Sequence, residues 1–296
     1  AATTAANNTA VGSNSLGATT TGSNNTAVGY VALLANTTGT QNVAVGSFSL
    51  DVNTTGNNNS AFGHASLNTN STGSDNTSIG AASLAVSTTA SNNTAVGSAT
   101  LGATTTGASN TAVGFSALAA NTTAANNTAI GRGALTVNTT GTQNVAVGTN
   151  TLDANSTASN NTGLGFNALG ANSTGSQNTA IGSNALDANT TASSNTAVGY
   201  ASLGANTTAA NNTAVGFSAL TGNTTGTGLV AVGASALDAN TTGSNNIGIG
   251  LNAAGGTTSG TGNVAIGTNS LLQNTTGVDN VAVGLYVLNA NTTAAS

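Results

Sequence analysis

The chain has 296 residues, a formal net charge of −5 and only 2% charged residues. It has no Cys, which excludes a disulfide framework and a thiolate metal site, and its one cation, Arg132, argues against nucleic acid, which needs clustered cations. No apolar run reaches the roughly 18 residues that a membrane-spanning helix needs.

The motif NTAVG occurs six times, and the copies are separated by multiples of 17 residues. Its glycine recurs from Gly12 to Gly284 in 17 successive repeats of 17 residues, without insertion or deletion. We number the positions of each repeat from this glycine, which is position 0. A unit this short cannot bury its own apolar side, whereas stacked units bury a continuous core. One inserted residue would turn inward side chains outward, so the step is fixed.

The first element of each repeat covers positions −3 to −1. Position −2 is always Ala, Gly or Ser. Position −1 is always Val, Ile, Leu or Phe, and position −3 is Thr, Val, Ile or Ser. This alternation has the period of a β-strand. We expect the flanking side chains to point into the core and the small one to point outward.

The second element follows the glycine. Position +4 is Leu in every repeat except at Ala254, and the residue before it is Ala, Ser or Thr except at Val287, which predicts a second short strand. Asn at positions −4 and +7 and Gly at position 0 are expected at corners, where positive φ is tolerated. Stacked Asn side chains can hydrogen-bond from turn to turn, whereas stacked charges would repel each other.

These elements predict an all-β parallel β-solenoid, or β-roll, with one rung per 17-residue repeat and 17 repeats in total. Helices are disfavoured because Gly, Asn and Thr are poor helix formers and the apolar period is wrong. At about 4.8 Å per rung, the array should be roughly 80 Å long. Residues 1–296 are interpreted as a single continuous repeat array and as a fragment of a longer fibre protein.

The column of small residues at position −2 is the first candidate site. If it faces outward, other chains can approach it closely, so lateral association is predicted there. The alternative is a column that is merely small and exposed. The candidate residues are Ala27, Ala44, Ala61, Ala95 and Ala112.

Asn at position +7 and Thr at position +9 form the second candidate site. The Asn-x-Thr pattern matches an N-glycosylation sequon, although glycans on adjacent rungs would collide. Rows of Asn and Thr on a flat face are also a candidate ice-binding surface. The structural alternative to both is a turn ladder in which Asn and Thr satisfy backbone groups. The candidate residues are Asn36, Thr38, Asn53, Thr55, Asn121, Thr123, Asn138 and Thr140.

The remaining polar and aromatic residues carry little chemistry. The six Asp do not follow the spacing of calcium-binding rolls, so we expect solvated surface charge and no metal. Position +1 is variable, holds His64, Arg132 and several aromatics, and is expected to face outward. One His and no Cys, Glu or Lys leave few acids and bases, so neither an enzyme nor a cofactor is expected.

The motifs NTAVG, NTAIG and NVAVG resemble the SVAIG-type motif in head domains of trimeric autotransporter adhesins. The resemblance implies a left-handed parallel β-roll assembled as a homotrimer, although the repeat of that family is usually shorter. The whole unit that begins at Asn195, NTAVGYASLGANTTAAN, is similar to 17-residue repeats of tail-fibre-like surface proteins of bacteria and phages.

Together these features predict a structural shaft of a surface fibre or filament, extracellular or on a cell or virion surface. Its partners would be copies of itself, as a homotrimer or filament bundle. A host surface or glycan would be bound through regions outside this segment, and neither nucleic acid nor membrane insertion is expected. The alternative is an ice-binding solenoid that uses the Asn and Thr ladders.

Overall fold

A computed structural model describes residues 4–293, and in this range the protein is all-β. Each repeat contributes one strand of three residues, at positions −3 to −1. The strands are Thr9–Val11 (β1), Thr26–Val28 (β2), Val43–Val45 (β3), Ser60–Phe62 (β4), Thr77–Ile79 (β5), Thr94–Val96 (β6), Thr111–Val113 (β7), Thr128–Ile130 (β8), Val145–Val147 (β9), Thr162–Leu164 (β10), Thr179–Ile181 (β11), Thr196–Val198 (β12), Thr213–Val215 (β13), Val230–Val232 (β14), Ile247–Ile249 (β15), Val264–Ile266 (β16) and Val281–Val283 (β17).

The chain divides into two compact units, residues 1–147 and 148–296, which contain β1–β9 and β10–β17. Within each unit, every strand pairs in parallel with the strand of the next repeat, at an offset of one repeat: Ala27 lies beside Ala44, and Ala180 beside Ala197. The predicted parallel β-solenoid with one rung per 17-residue repeat is therefore confirmed.

Backbone hydrogen bonds join each rung to the next well beyond the strands. In the second and third rungs, the N–H of Leu33 donates to the carbonyl of Ser49 at 3.0 Å, and that of Ala35 to Asp51 at 2.9 Å. Further along, the N–H of Thr37 donates to the carbonyl of Thr54 at 3.0 Å. Because the corners are bonded as regularly as the strands, the whole rung is held at a fixed spacing from its neighbour.

The orientation predicted for the strands is wrong. The alanines at position −2 point into the core, whereas the β-branched residues at positions −3 and −1 face outward. Each of the proposed association residues is 0% exposed: Ala27, Ala44, Ala61, Ala95 and Ala112. Alternation places every second residue on one side, and Asn at position −4 is buried, so position −2 must be buried too. The alanine column is therefore not a surface on which another chain can dock.

The second predicted strand is also wrong, because positions +1 to +6 form turns. From Leu33 to Leu271, Leu at position +4 is fully buried but has a left-handed backbone; φ is 54° at Leu33 and 51° at Leu118. Position +2 is left-handed as well, as at Val31 with φ 60°. Two left-handed residues bend the chain sharply enough to bring a large side chain inward without a strand.

Asn at position −4 forms the first of two interior ladders. The side chain of Asn25 accepts a hydrogen bond from the N–H of Asn42 at 2.9 Å, and Asn42 does the same for Asn59. Its amide also donates to the carbonyl at position +10 of the same repeat, as from Asn42 to Gly56 at 2.8 Å. The predicted Asn stacking is thus confirmed, inside the core rather than at an outer corner.

Candidate functional site

Asn at position +7, the sequon residue, forms the second interior ladder. The side-chain amide of Asn53 donates to the side-chain oxygen of Asn36 at 2.9 Å and to the carbonyl of Gly56 at 3.0 Å. The proposed sites Asn36, Asn53, Asn121 and Asn138 are each 0% exposed. A side-chain nitrogen that is buried and donates two hydrogen bonds is inaccessible to a glycosyl donor, and it cannot contact ice. The Asn half of this candidate site is therefore a core element.

The two threonines that follow have different roles. At position +8 the hydroxyl is used within the fold: Thr37 Oγ1 donates to the carbonyl of Thr54 at 3.0 Å, and Thr54 Oγ1 to that of Ser71 at 2.9 Å. At position +9, the candidates Thr38, Thr55, Thr123 and Thr140 are all exposed. Within residues 4–293, the +9 hydroxyls make no hydrogen bond to the chain. We call this exposed column, Thr in the described rungs except for Ser259, the threonine ladder.

A second outer surface is made by the strands. We define the strand face as the outward side chains at positions −3 and −1 of β1–β9 in the first unit and of β10–β17 in the second. No charged residue occurs at either position in any repeat. Large apolar side chains are open to solvent: Phe62, Ile130 and Leu164 are 40, 40 and 45% exposed. In each unit the face consists of an apolar column at position −1 beside a column at position −3 that is Thr or Ser in most repeats and Val or Ile in the others.

Aromatic residues at position +1 face outward, as expected. Tyr200 and Phe217, on adjacent rungs, are 52 and 60% exposed, and their rings are stacked with centroids 5.5 Å apart. Tyr30 packs edge-on against Phe48 at 5.4 Å, and Phe48 against His64 at 6.0 Å. Neighbouring rungs within the chain therefore provide packing partners for these rings.

Four Asp share position +5, directly after the buried Leu at position +4, and all are partly buried. Desolvation raises the pKa of Asp51, Asp153, Asp187 and Asp238 above the ordinary value of 3.8. At Asp187, hydrogen bonds from the backbone of Asp187 and Ala188 lower the pKa in part. Burial outweighs these bonds because no cation occurs nearby in the sequence to favour the charged form.

Among residues 4–293, no three His, Cys, Asp or Glu side chains cluster closely enough to hold a metal ion. The same range contains no helix of the length and apolarity required to span a bilayer. His64 and Arg132 are both exposed, on different rungs of the first unit. The outer side chains of the described rungs are therefore mainly hydroxyl, amide, aliphatic and aromatic groups, with few charges.

Sequence reasoning missed the strand face. The signal was present, because Asn stands at position −4 in every repeat but one, and a ladder of amides inside the core fixes the alternation that follows. The same inversion explains why the alanine column was mistaken for a surface. Searches against known protein families and against curated proteins give no match to this chain.

Proposed function

We propose that the chain is a non-catalytic structural shaft of a surface fibre or filament, which holds other parts of its protein at a distance. The observation that carries the proposal is the inter-rung bonding. The strand, the turn around Leu at position +4 and the segment with Thr at positions +8 and +9 are each hydrogen-bonded to the next rung. Two Asn ladders run inside the core. Such bonding uses the backbone around the rung and the buried Asn side chains to hold one rung at a fixed spacing from the next, which suits a stiff spacer.

The location on a cell or virion surface rests on the resemblance of the NTAVG motif to adhesin heads and tail fibres, and it stays a prediction. The lack of a catalytic role is supported by composition: the chain has one His and no Cys, Glu or Lys. Protease resistance is expected too, because a protease needs a locally extended segment and each inner rung of a unit is hydrogen-bonded to a neighbour on both sides.

Insertion of whole repeats tests the shaft. Four copies of residues 110–126, a regular unit, are inserted after Asn126, and dyes are attached through Thr38→Cys and Thr140→Cys in the otherwise cysteine-free chain. Both sites lie in the first unit, six rungs apart. At about 4.8 Å per rung, the distance between the dyes should rise from about 29 to about 48 Å, with thermal stability retained.

The matched control inserts four copies that each lack one residue. We expect these to disrupt the fold, because a one-residue slip exchanges inward and outward side chains. A dye distance that does not grow with whole repeats would overturn the shaft proposal. Equal tolerance of both insertions would also overturn it, because the rungs would then not be the units that set the length.

Ice binding is the second candidate function, and the threonine ladder favours it. The fold explains Thr at position +8 through its hydrogen bond, but it gives no structural reason for an exposed hydroxyl at position +9 in each described rung. A periodic row of methyl and hydroxyl groups without charge can order water at a regular spacing. Thermal hysteresis should therefore be measurable and should be lost when Thr89, Thr140, Thr191 and Ser259 are all changed to Lys. Absence of hysteresis in the unmodified chain would exclude this function.

A further inference from the structure

The strand face combines exposure with a lack of charge. At position −1 of the first unit, Phe62, Ile79 and Ile130 are 40, 41 and 40% exposed, although they are among the largest apolar side chains of their rungs. The interior does not hold them, because the core of the inner rungs is filled by the small residue at position −2, the Leu or Ala at position +4 and the buried side chains at positions −4 and +7. Removal of this apolar −1 column from water is favourable, and the Thr or Ser found at most −3 positions carries no charge that would oppose it.

The charges of the chain lie elsewhere. Four of the six Asp are at position +5, and the other two, Asp75 and Asp279, are at position +12. Arg132 and His64 stand at position +1. A second copy that approaches face to face through positions −3 and −1 therefore brings no two charges of like sign into direct contact. An approach through positions +5 or +12 would instead bring acidic side chains of identical chains towards each other.

The period of the face also selects its partner. A surface that contacts every rung must itself repeat at about 4.8 Å, the distance between adjacent strands. A second copy of the chain presents that repeat with the same side chains, so the ridges formed by Val, Ile and Phe of one copy can fit between those of the other. Two sheet faces that pack in this way lie about 10 Å apart.

The available area fits a stable complex when many rungs take part. A three-residue strand is about 10 Å long, so each rung offers about 50 Å2 of face. Pairing the nine rungs of the first unit with nine of a second copy removes roughly 900 Å2 in total, and pairing these together with the eight rungs of the second unit removes roughly 1,700 Å2. The second value is the usual size of a specific protein–protein interface.

We propose that the strand face is the surface through which copies of this chain associate side by side. The proposal rests on the shaft function, since lateral pairing thickens and stiffens a fibre. It replaces the buried alanine column as the interface. Val, Ile and Phe at position −1 form the apolar centre of the contact, and the smaller Thr and Val at position −3 lie beside them.

The test is the solution mass by light scattering over a wide range of concentration. The unmodified chain should have a mass of at least twice the 27.7 kDa of one chain. Changing Ile79, Ile130, Ile181 and Ile249 to Lys should reduce the mass to that of one chain, because four cations are placed on the face. These side chains are 37 to 41% exposed, so the rungs themselves can accept Lys with its charge in water.

The matched control places the same four charges on the same rungs but on the threonine ladder: Thr89→Lys, Thr140→Lys, Thr191→Lys and Ser259→Lys. It should keep the mass of the unmodified chain. Circular dichroism confirms that both variants keep the β signature. If the Ile variant loses that signature, Val113→Cys with a bismaleimide that spans about 10 Å replaces it. Cross-linked dimers from Val113→Cys, and none from Thr123→Cys, would support the proposal.

A single-chain mass for the unmodified protein at all concentrations would overturn the proposal, and so would dissociation by the threonine-ladder variant alone. Cross-linking from Thr123→Cys without cross-linking from Val113→Cys would overturn it as well. These results are separate from those of the insertion test. A monomer whose dye distance grows with added repeats leaves the shaft standing without pairing, whereas an oligomer whose distance does not grow leaves pairing without a shaft.

Discussion

At the scale of single residues, the Asn ladder at position +7 works only as a chain of donors and acceptors. Each side-chain amide donates to the oxygen of the Asn one rung earlier, as from Asn189 to Asn172 at 2.8 Å. Ser87 does not donate to Asn70, so the sequence of bonds is interrupted between these two rungs. All buried side-chain atoms that lack a partner in the described residues occur in this column: Thr19 Oγ1, Asn70 Oδ1, Ser87 Oγ, Thr257 Oγ1 and Asn274 Oδ1.

Ser87→Asn should therefore stabilise the protein. The new amide can donate to Asn70 Oδ1 and to the carbonyl of Ala90, which removes two unpaired atoms at once. The pairing of Asn at +7 with Ala at +10 already exists in another rung, where Asn189 donates to the carbonyl of Ala192 at 3.0 Å. We expect a gain of about 1 kcal/mol in the free energy of unfolding, measured by denaturant titration.

The reverse change, Asn189→Ser, is the matched control. It leaves Asn172 Oδ1 buried without a donor, and we expect a loss of about 1–3 kcal/mol. If Ser87→Asn proved as destabilising as Asn189→Ser, the ladder would not be a source of stability. Crowding at position +7 would then dominate over hydrogen bonding.

At the scale of the rung, the sequence was sufficient for the period, the strand location and the parallel stacking. These follow from the fixed step and from the alternation around position −2, both of which are local patterns. The direction of the alternation could not be obtained from hydrophobicity, because here amides and small residues fill the core and β-branched residues face water. The turn around Leu33 was also missed, since a left-handed Leu is costly by itself and is imposed by stacking.

The glycine that ends each strand can be tested in one rung. Gly114 has φ +130°, and a Cβ placed there would lie 2.6 Å from the carbonyl oxygen of Gly131 in the next rung. Both the backbone strain and the overlap oppose a side chain, so Gly114→Ala should cost about 3 kcal/mol of unfolding free energy. Chemical denaturation with a circular dichroism signal would measure the loss.

Gly102→Ala is the control for that change. Its Cβ would lie 3.3 Å from its nearest neighbour, the carbonyl oxygen of Ala99, and Ala119 fills the same position one rung later. We expect a change of about 1 kcal/mol or less in either direction. A similar loss from both variants would mean that chain entropy, and not the close approach between rungs, determines the glycine at position 0.

At the scale of the whole molecule, the charge pattern determines how stability depends on pH. The chain has six Asp and one Arg, so carboxylates have almost no cations with which to form ion pairs. In most proteins acid destabilises the fold because paired carboxylates must be protonated. Here the partly buried Asp at position +5 are desolvated without a compensating cation, which reverses the usual sign.

The pKa values of Asp51, Asp153, Asp187 and Asp238 are raised above 3.8, mainly by desolvation, so the folded state holds the proton more tightly than the unfolded state. Above the folded pKa, each ionised carboxylate therefore carries an unfavourable contribution to stability. That contribution fades as pH falls through the folded pKa, and it is absent below 3.8. The melting temperature should accordingly rise between pH 7 and pH 4. Changing the four Asp to Asn should raise it at pH 7 and flatten this part of the profile. A melting temperature that falls over this interval in the unmodified chain, with the same slope in the Asn variant, would show that groups other than this Asp column govern the response to acid.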